Sequence, residues 1–333
     1  MDIFIQQLIN GLTLGAVYAV VALGYTMVYG IIQLINFAHG EVVMIGAMVA
    51  FTVINALAPF GLPPLLVVLI GTACAIPVCV LVGYTMERLA YRPLRHAPRL
   101  APLITAIGVS IILQHLAMLV WSRNVLAFPQ IIDIKLYTIA GATITNVQIT
   151  IIVTCVAMMA ALALLVYRTR LGTAMRATAQ NPHVAGLMGI NIDRVIAATF
   201  AIGAGLAAVA GVMVGTYYGI AQYTMGSILG LKAFAAAVLG GIGNVPGAML
   251  GGVLMGLVEA LGAGYIGTYT DLCKISGISE WLTQRCAADG GHFVLFGSNY
   301  QDVFAFVVLI LVLVFRPSGL LGERVVLQAP VRI

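Results

Sequence analysis

Four long stretches of this chain carry no charge at all: Leu65–Tyr84, Ala101–Trp121, Ile149–Tyr167 and Val195–Tyr218. An α-helix needs ~20 apolar residues to cross the hydrocarbon core of a bilayer, so each stretch is a candidate span. A transmembrane barrel would show ~10-residue segments alternating between apolar and polar, which are absent. Only 8% of the 333 residues are charged, far from the ~25% of a soluble domain. The expected class is therefore all-α, a polytopic helical membrane protein forming a single transmembrane domain over residues 1–333. The start of the chain lacks a basic region, short apolar core and cleavage site, so no removable signal peptide is expected.

The net charge of +5 does not point to nucleic acid, because the basic residues gather between the apolar stretches. Arg88, Arg92, Arg95 and Arg99 form one group; Arg168, Arg170, Arg176 and Arg194 form another; Arg316, Arg324 and Arg332 mark the end of the chain. Basic loops stay on the cytoplasmic side. With that parity the N-terminus lies outside and the C-terminus inside, in a multi-pass protein of a bacterial inner membrane. The count is eight or nine membrane segments, some broken or re-entrant. Cys74, Cys79 and Cys155 fall in apolar spans and read as small buried hydrophobes. Cys273 and Cys286 lie in the external loop 271–299 and are a candidate disulfide pair in an oxidising compartment.

Two apolar regions are interrupted. "INFAHGE" places Asn36, His39 and Glu41 between Leu8–Ile32 and Val42–Leu57, and "GGIGNVPG" places Gly240, Gly241, Gly243 and Asn244 in the second half. Irregular backbone at membrane depth is tolerated only where protein or a cavity covers it. Interrupted segments in both halves of a transporter point to a substrate path. These seven residues are the candidate path residues. For INFAHGE the alternative is a polar turn that starts the second span, with Asn36 capping a helix that begins near Ala38 and His39 bonding to or sharing a proton with Glu41. Lys232 is expected to snorkel to an interface. Gln114 and His115 are expected to make interhelical hydrogen bonds, with a substrate contact as the alternative, and Glu259 to face a cavity or a partner helix. The glycine pairs Gly211/Gly215, Gly247/Gly251 and Gly252/Gly256 mark close helix packing. No metal-ligand spacing, nucleophile–base arrangement or GxxxxGK[ST] phosphate loop is present, so neither catalysis nor ATP binding is expected of this chain.

The basic loop "RATAQNPHVAGLMGINIDR" is more specific. Asn181 before Pro182 reads as an N-cap with proline at the first helical position, and Gly189 as the left-handed residue beyond the end. Val184, Leu187 and Met188 share one face of the short helix between them. An exposed apolar face flanked by Arg176 and Arg194 suits docking into a groove of another protein; folding back onto the chain's own spans is the alternative.

"LGYTMVYGIIQLINFAHGEVVMIGA", "ERLAYRPLR", "MGINIDRVIAATFAIGAGLAAVAGV" and "KAFAAAVLGGIGNVPGAMLGG" resemble the permeases of high-affinity branched-chain amino acid ABC importers. The likeness runs through nearly the whole chain, and it is to the shorter, H-type member of a permease pair. It implies a second homologous permease, two cytoplasmic ATPase subunits that hydrolyse ATP, and a periplasmic substrate-binding protein that delivers Leu, Ile or Val. It implies no cofactor in this chain, a coupling role for the segment Ala177–Gly189, and a place near the path for both interrupted regions. The loop 271–299 is longer than the resemblance predicts. Related permeases for urea and short amides share a similar core around Asn36–Glu41. Beyond them, a proton-coupled secondary transporter using His39 and Glu41, or a passive channel, would fit the apolar composition.

Overall fold

The computed structural model describes residues 2–95, 97–98, 100–130, 132–139, 141–266, 268–269, 293–294 and 301–322. Cys273 and Cys286, and most of the loop 271–299, lie outside the described residues. Among the described residues eleven α-helices carry the fold: α1 (Asp2–Ile32), α2 (His39–Leu57), α3 (Pro64–Met86), α4 (Leu100–Val120), α5 (Asn146–Arg168), α6 (Arg170–Gln180), α7 (Pro182–Leu187), α8 (Ile192–Tyr218), α9 (Met225–Gly240), α10 (Val245–Leu261) and α11 (Gln301–Phe315). Seven of these, α1–α5, α8 and α10, are long and apolar enough to cross a membrane; α9 and α11 are shorter apolar helices. Three short antiparallel strand pairs complete the described structure: Leu126–Ala127 with Ile220–Ala221, Leu136–Ile139 with Ala142–Thr145, and Thr268–Tyr269 with Phe293–Val294.

A helix that is apolar all round belongs in the interior, and α1 is that helix, with every residue from Ala16 to Leu23 buried. It runs antiparallel to α10 along a seam of bare backbone. A β-carbon on Gly252 would fall 2.3 Å from the Cα of Ala19, and one on Gly256 would fall 2.2 Å from the N of Gly15. Gly247 and Gly251 face the other way, onto Gly240 and Ala236 of α9. Gly211 of α8 abuts the α2 backbone at Val43, while Gly215 meets the Phe128 ring instead of a helix. Apart from Gly215, these glycines bring backbones together, as their spacing predicts.

The outer helices differ. Leu65, Leu69 and Leu81 of α3 and Ile104, Ile111 and Leu119 of α4 point out of the bundle. Cys74 is exposed among them on α3, a departure from the expected burial; Cys79 and Cys155 are buried as expected. Helix α3 continues through a π-helical turn, Glu87–Tyr91, and a 3-10 turn, Arg92–Leu94, so that its basic end folds under the bundle.

Candidate functional site

The chain does not simply turn between α1 and α2. Gln33, the only non-glycine with positive φ (56°) among the described residues, reverses it at the end of α1. Residues 34–38 then climb back beside α1, and α2 begins with His39 lying against Gly24. That contact is about two turns, ~12 Å, in from the end of α1. The first turn of α2 therefore starts inside the bundle.

Asn36 does not cap α2. Its side-chain oxygen accepts from the Tyr91 hydroxyl at 2.8 Å, and its backbone carbonyl accepts from the His39 N–H at 3.1 Å. The capping position belongs to Ala38, with no side-chain bond. The partner that overrides the expected cap comes from the π-helical turn after α3, which nothing near Asn36 in sequence announces.

His39 and Glu41 do not meet either. Residues two apart on a helix point to different faces. The His39 ring packs edge-on against Tyr25 at 4.9 Å and meets the Val21 carbonyl, leaving Nε2 without a partner. Glu41, fully buried, faces α4 and α9. Its Oε1 accepts from Ser110 Oγ at 3.1 Å and from Gln114 Nε2 at 2.8 Å; its Oε2 accepts from nothing. Gln114 also donates to Ser227 Oγ of α9 at 2.6 Å, so one amide ties α4 to both α2 and α9, an interhelical bond as expected, whereas the exposed His115 departs from the expectation by pairing its Nδ1 with the Ile111 carbonyl of its own helix at 2.8 Å.

The second interruption has a different setting. Asn244 is the N-cap of α10, accepting from the Gly247 N–H at 3.2 Å and donating to the Leu321 carbonyl at 2.7 Å. Gly241 (φ 107°) and Gly243 (φ 96°) form the turn, and a β-carbon on Gly241 would fall 2.3 Å from the backbone of Gly322. Gly240, Gly241, Gly243 and Asn244 thus sit at the basic end, under residues 318–322 and beside Gly30. The structure does not bring them next to His39 and Glu41.

At the same end, α6, α7 and α8 form a bracket. Asn181 caps α7 by accepting from the Val184 N–H at 3.1 Å, Pro182 opens it, and Gly189 (φ 83°) lies beyond its end. Val184, Leu187 and Met188 are 51%, 75% and 78% exposed, so the apolar face is uncovered by the chain's own spans. Arg176 lies over the Tyr167 ring at 5.6 Å.

Two ionic clusters escaped the sequence. Arg95 joins Glu87 and Asp193, and Arg92 also pairs with Asp193, locking the end of α3 to the start of α8. Lys232 does not snorkel: it is buried, 2.8 Å from Glu259 and 2.5 Å from Asp302 of α11, with the Tyr18 hydroxyl bonded to Glu259 at 2.9 Å. Its charge is compensated inside the bundle, so it has no need of an interface. A lysine amid an apolar run was the one available signal; its partners lie on other helices. Elsewhere, a cavity of about 300 Å³ opens at the end opposite the basic loops, lined by Phe128, Gln130, Gln148 and Tyr217.

Comparison with known proteins covers almost all of these elements. The family model for the permease component of branched-chain amino acid transport systems matches residues 7–313. The high-affinity branched-chain amino acid transport system permease protein BraD of Pseudomonas aeruginosa is 46% identical over 325 residues, 96% of each chain. The corresponding LivH protein of Escherichia coli K12 is 44% identical, again over 96% of each chain. A probable branched-chain amino acid transport permease of Methanocaldococcus jannaschii is 26% identical over 90% of this chain and 87% of its own. No solved structure matches.

Proposed function

The chain belongs to the family of branched-chain amino acid transport permeases, and from that premise we propose that it carries leucine, isoleucine and valine across the inner membrane as a subunit of an ABC importer. The observation that carries the reading is identity near 45% sustained over 96% of both chains. As a permease subunit the chain does no covalent chemistry. ATP is hydrolysed by two cytoplasmic partner subunits, a second homologous permease completes the path, and a periplasmic binding protein delivers the substrate. The N-terminus lies outside and the basic end faces the cytoplasm.

The geometry suggests how the parts work together. The exposed Val184, Leu187 and Met188 of α7 dock into an ATPase groove. Movement there passes directly to α8, and through Asp193, Arg92 and Arg95 to the end of α3. Both α3 and α8 pack on α2, which bears His39 and Glu41. Closure of the ATPases thus reorients the polar start of α2, a rigid-body switch between two packings. Asn36, His39 and Glu41 line the path or its gate; Gly240, Gly241, Gly243 and Asn244 form the turn that lets α9 and α10 move as a pair near its cytoplasmic mouth.

The test is an affinity pull-down of the chain from gently solubilised native membranes, with every co-purifying protein identified. Two ATPases and a second permease are expected. Recovery of the chain alone, still transporting when reconstituted, overturns the ABC reading in favour of a secondary transporter.

A further inference from the structure

Glu41 is the odd carboxylate of the bundle. The other buried or paired acids that the structure describes each have a cation: Glu87 has Arg95, Asp193 has Arg92 and Arg95, and Glu259 and Asp302 share Lys232. Glu41 has none, although it is the most deeply buried of them at 0% exposure. Burying a carboxylate without a counter-charge is expensive, and intramembrane acids are retained where they act.

Its unpartnered Oε2 has a definite address. It lies against the bare backbone of α9, where a β-carbon on Gly226 would fall 2.6 Å away. The neighbouring Gly40 rests on Gly226 and Gly230 in the same way. These glycines put the two backbones in direct contact, and the Gln114 amide, bonded to Glu41 and Ser227, bridges α2 and α9 beside them, so a rigid-body shift of α2 against α9 parts the helices here. Parting exposes Oε2 to whatever passes between the two helices. The first N–H groups of α2 offer nothing to an anion: those of His39, Glu41 and Val42 bond to Asn36 and Ala38, and that of Gly40 meets the Tyr25 hydroxyl. The start of α2 therefore presents one unpartnered carboxylate oxygen, Oε2, and no free backbone donor beside it.

We propose that Glu41 is the counter-charge for the α-ammonium group of the amino acid in transit, engaged when the α2–α9 seam opens. This deepens the importer reading above and rests on it. It also makes Glu41 a specificity determinant, since urea or a neutral amide brings no cation to balance the carboxylate.

The experiment uses the complete complex of both permeases and both ATPases in liposomes, with leucine-loaded binding protein and radiolabelled leucine. Glu41→Gln keeps an Oε1 acceptor for Ser110 and Gln114, removes the charge and puts an uncharged amide nitrogen at the Oε2 position. The expected result is a fall of about tenfold or more in maximal import. Glu41→Asp imports faster than Glu41→Gln, and a protonophore leaves the wild-type rate unchanged. Wild-type import by Glu41→Gln overturns the proposal, as do equal rates for the two variants. A protonophore-sensitive wild type overturns it too, making Glu41 a proton carrier. A wild-type complex that imports no branched-chain amino acid instead removes the importer reading on which the proposal stands.

Discussion

Lys232 shows how much one side chain can hold in a bundle of this kind. It is 8% exposed and joins α9 to Glu259 of α10 and Asp302 of α11. Removing one member of a buried ion pair strands the other, at a cost of about 3–5 kcal/mol. Lys232→Met is expected to lower the melting temperature of the detergent-purified complex, and adding Glu259→Leu to restore part of the loss. A single variant as stable as wild type would mean that the pair is solvated. From the sequence, Lys232 was expected at an interface, because a lone cation in an apolar run has no visible partner. Glu259 is 27 positions away, and only the packing of α9 on α10 brings the two together. Glu41 failed in the same manner. Its proximity to His39 in sequence suggested a shared proton, but the helical rotation between them sends one to α1 and the other to α4 and α9.

At the scale of elements, the short helix α7 is legible in the sequence, because caps are local. Asn181, Pro182 and Gly189 set its ends through backbone bonds spanning a few residues, which a sequence displays directly. Its role is open to test. Leu187→Asp is expected to leave membrane insertion and thermal stability intact, since the side chain is 75% exposed. ATP-driven import falls about tenfold or more, the effect of losing one interface anchor. Unchanged import would remove α7 from the coupling path. The α1–α10 seam is the opposite case: the glycine spacing announced a close contact but not the partner. With only 2.3 Å between a Gly252 β-carbon and the Cα of Ala19, Gly252→Leu forces the two helices apart. Overpacking of this kind costs about 1–3 kcal/mol or more. Reduced accumulation in the membrane and a lower melting temperature are expected, with Leu254→Ala on an outward-facing position of the same helix as the neutral control.

For the whole molecule, the basic residues predict an orientation that thiol labelling can check. In a background lacking the native cysteines, Phe60→Cys, at the end away from the basic loops, is expected to react with a membrane-impermeant reagent in spheroplasts. Met188→Cys reacts only in inverted vesicles. Both positions are well exposed, 73% and 78%, so failure to react reports sidedness and not burial. The reverse pattern would invert the topology and with it the proposed ATPase side. Long uncharged stretches, their basic connections and the caps of α7 are written within windows of about twenty residues, and the bilayer's thickness and its dislike of charge make such windows decisive. What the sequence by itself determined is therefore the class, the long apolar spans and the ends of the short helix α7. Tertiary structure decided the rest: that α2 starts inside the bundle, that the glycine-rich turn lies at the basic end apart from His39 and Glu41, and which carboxylates find a cation. Those outcomes depend on which helix faces which, and in a membrane that choice is made by backbone approach and buried charge between residues far apart in the chain.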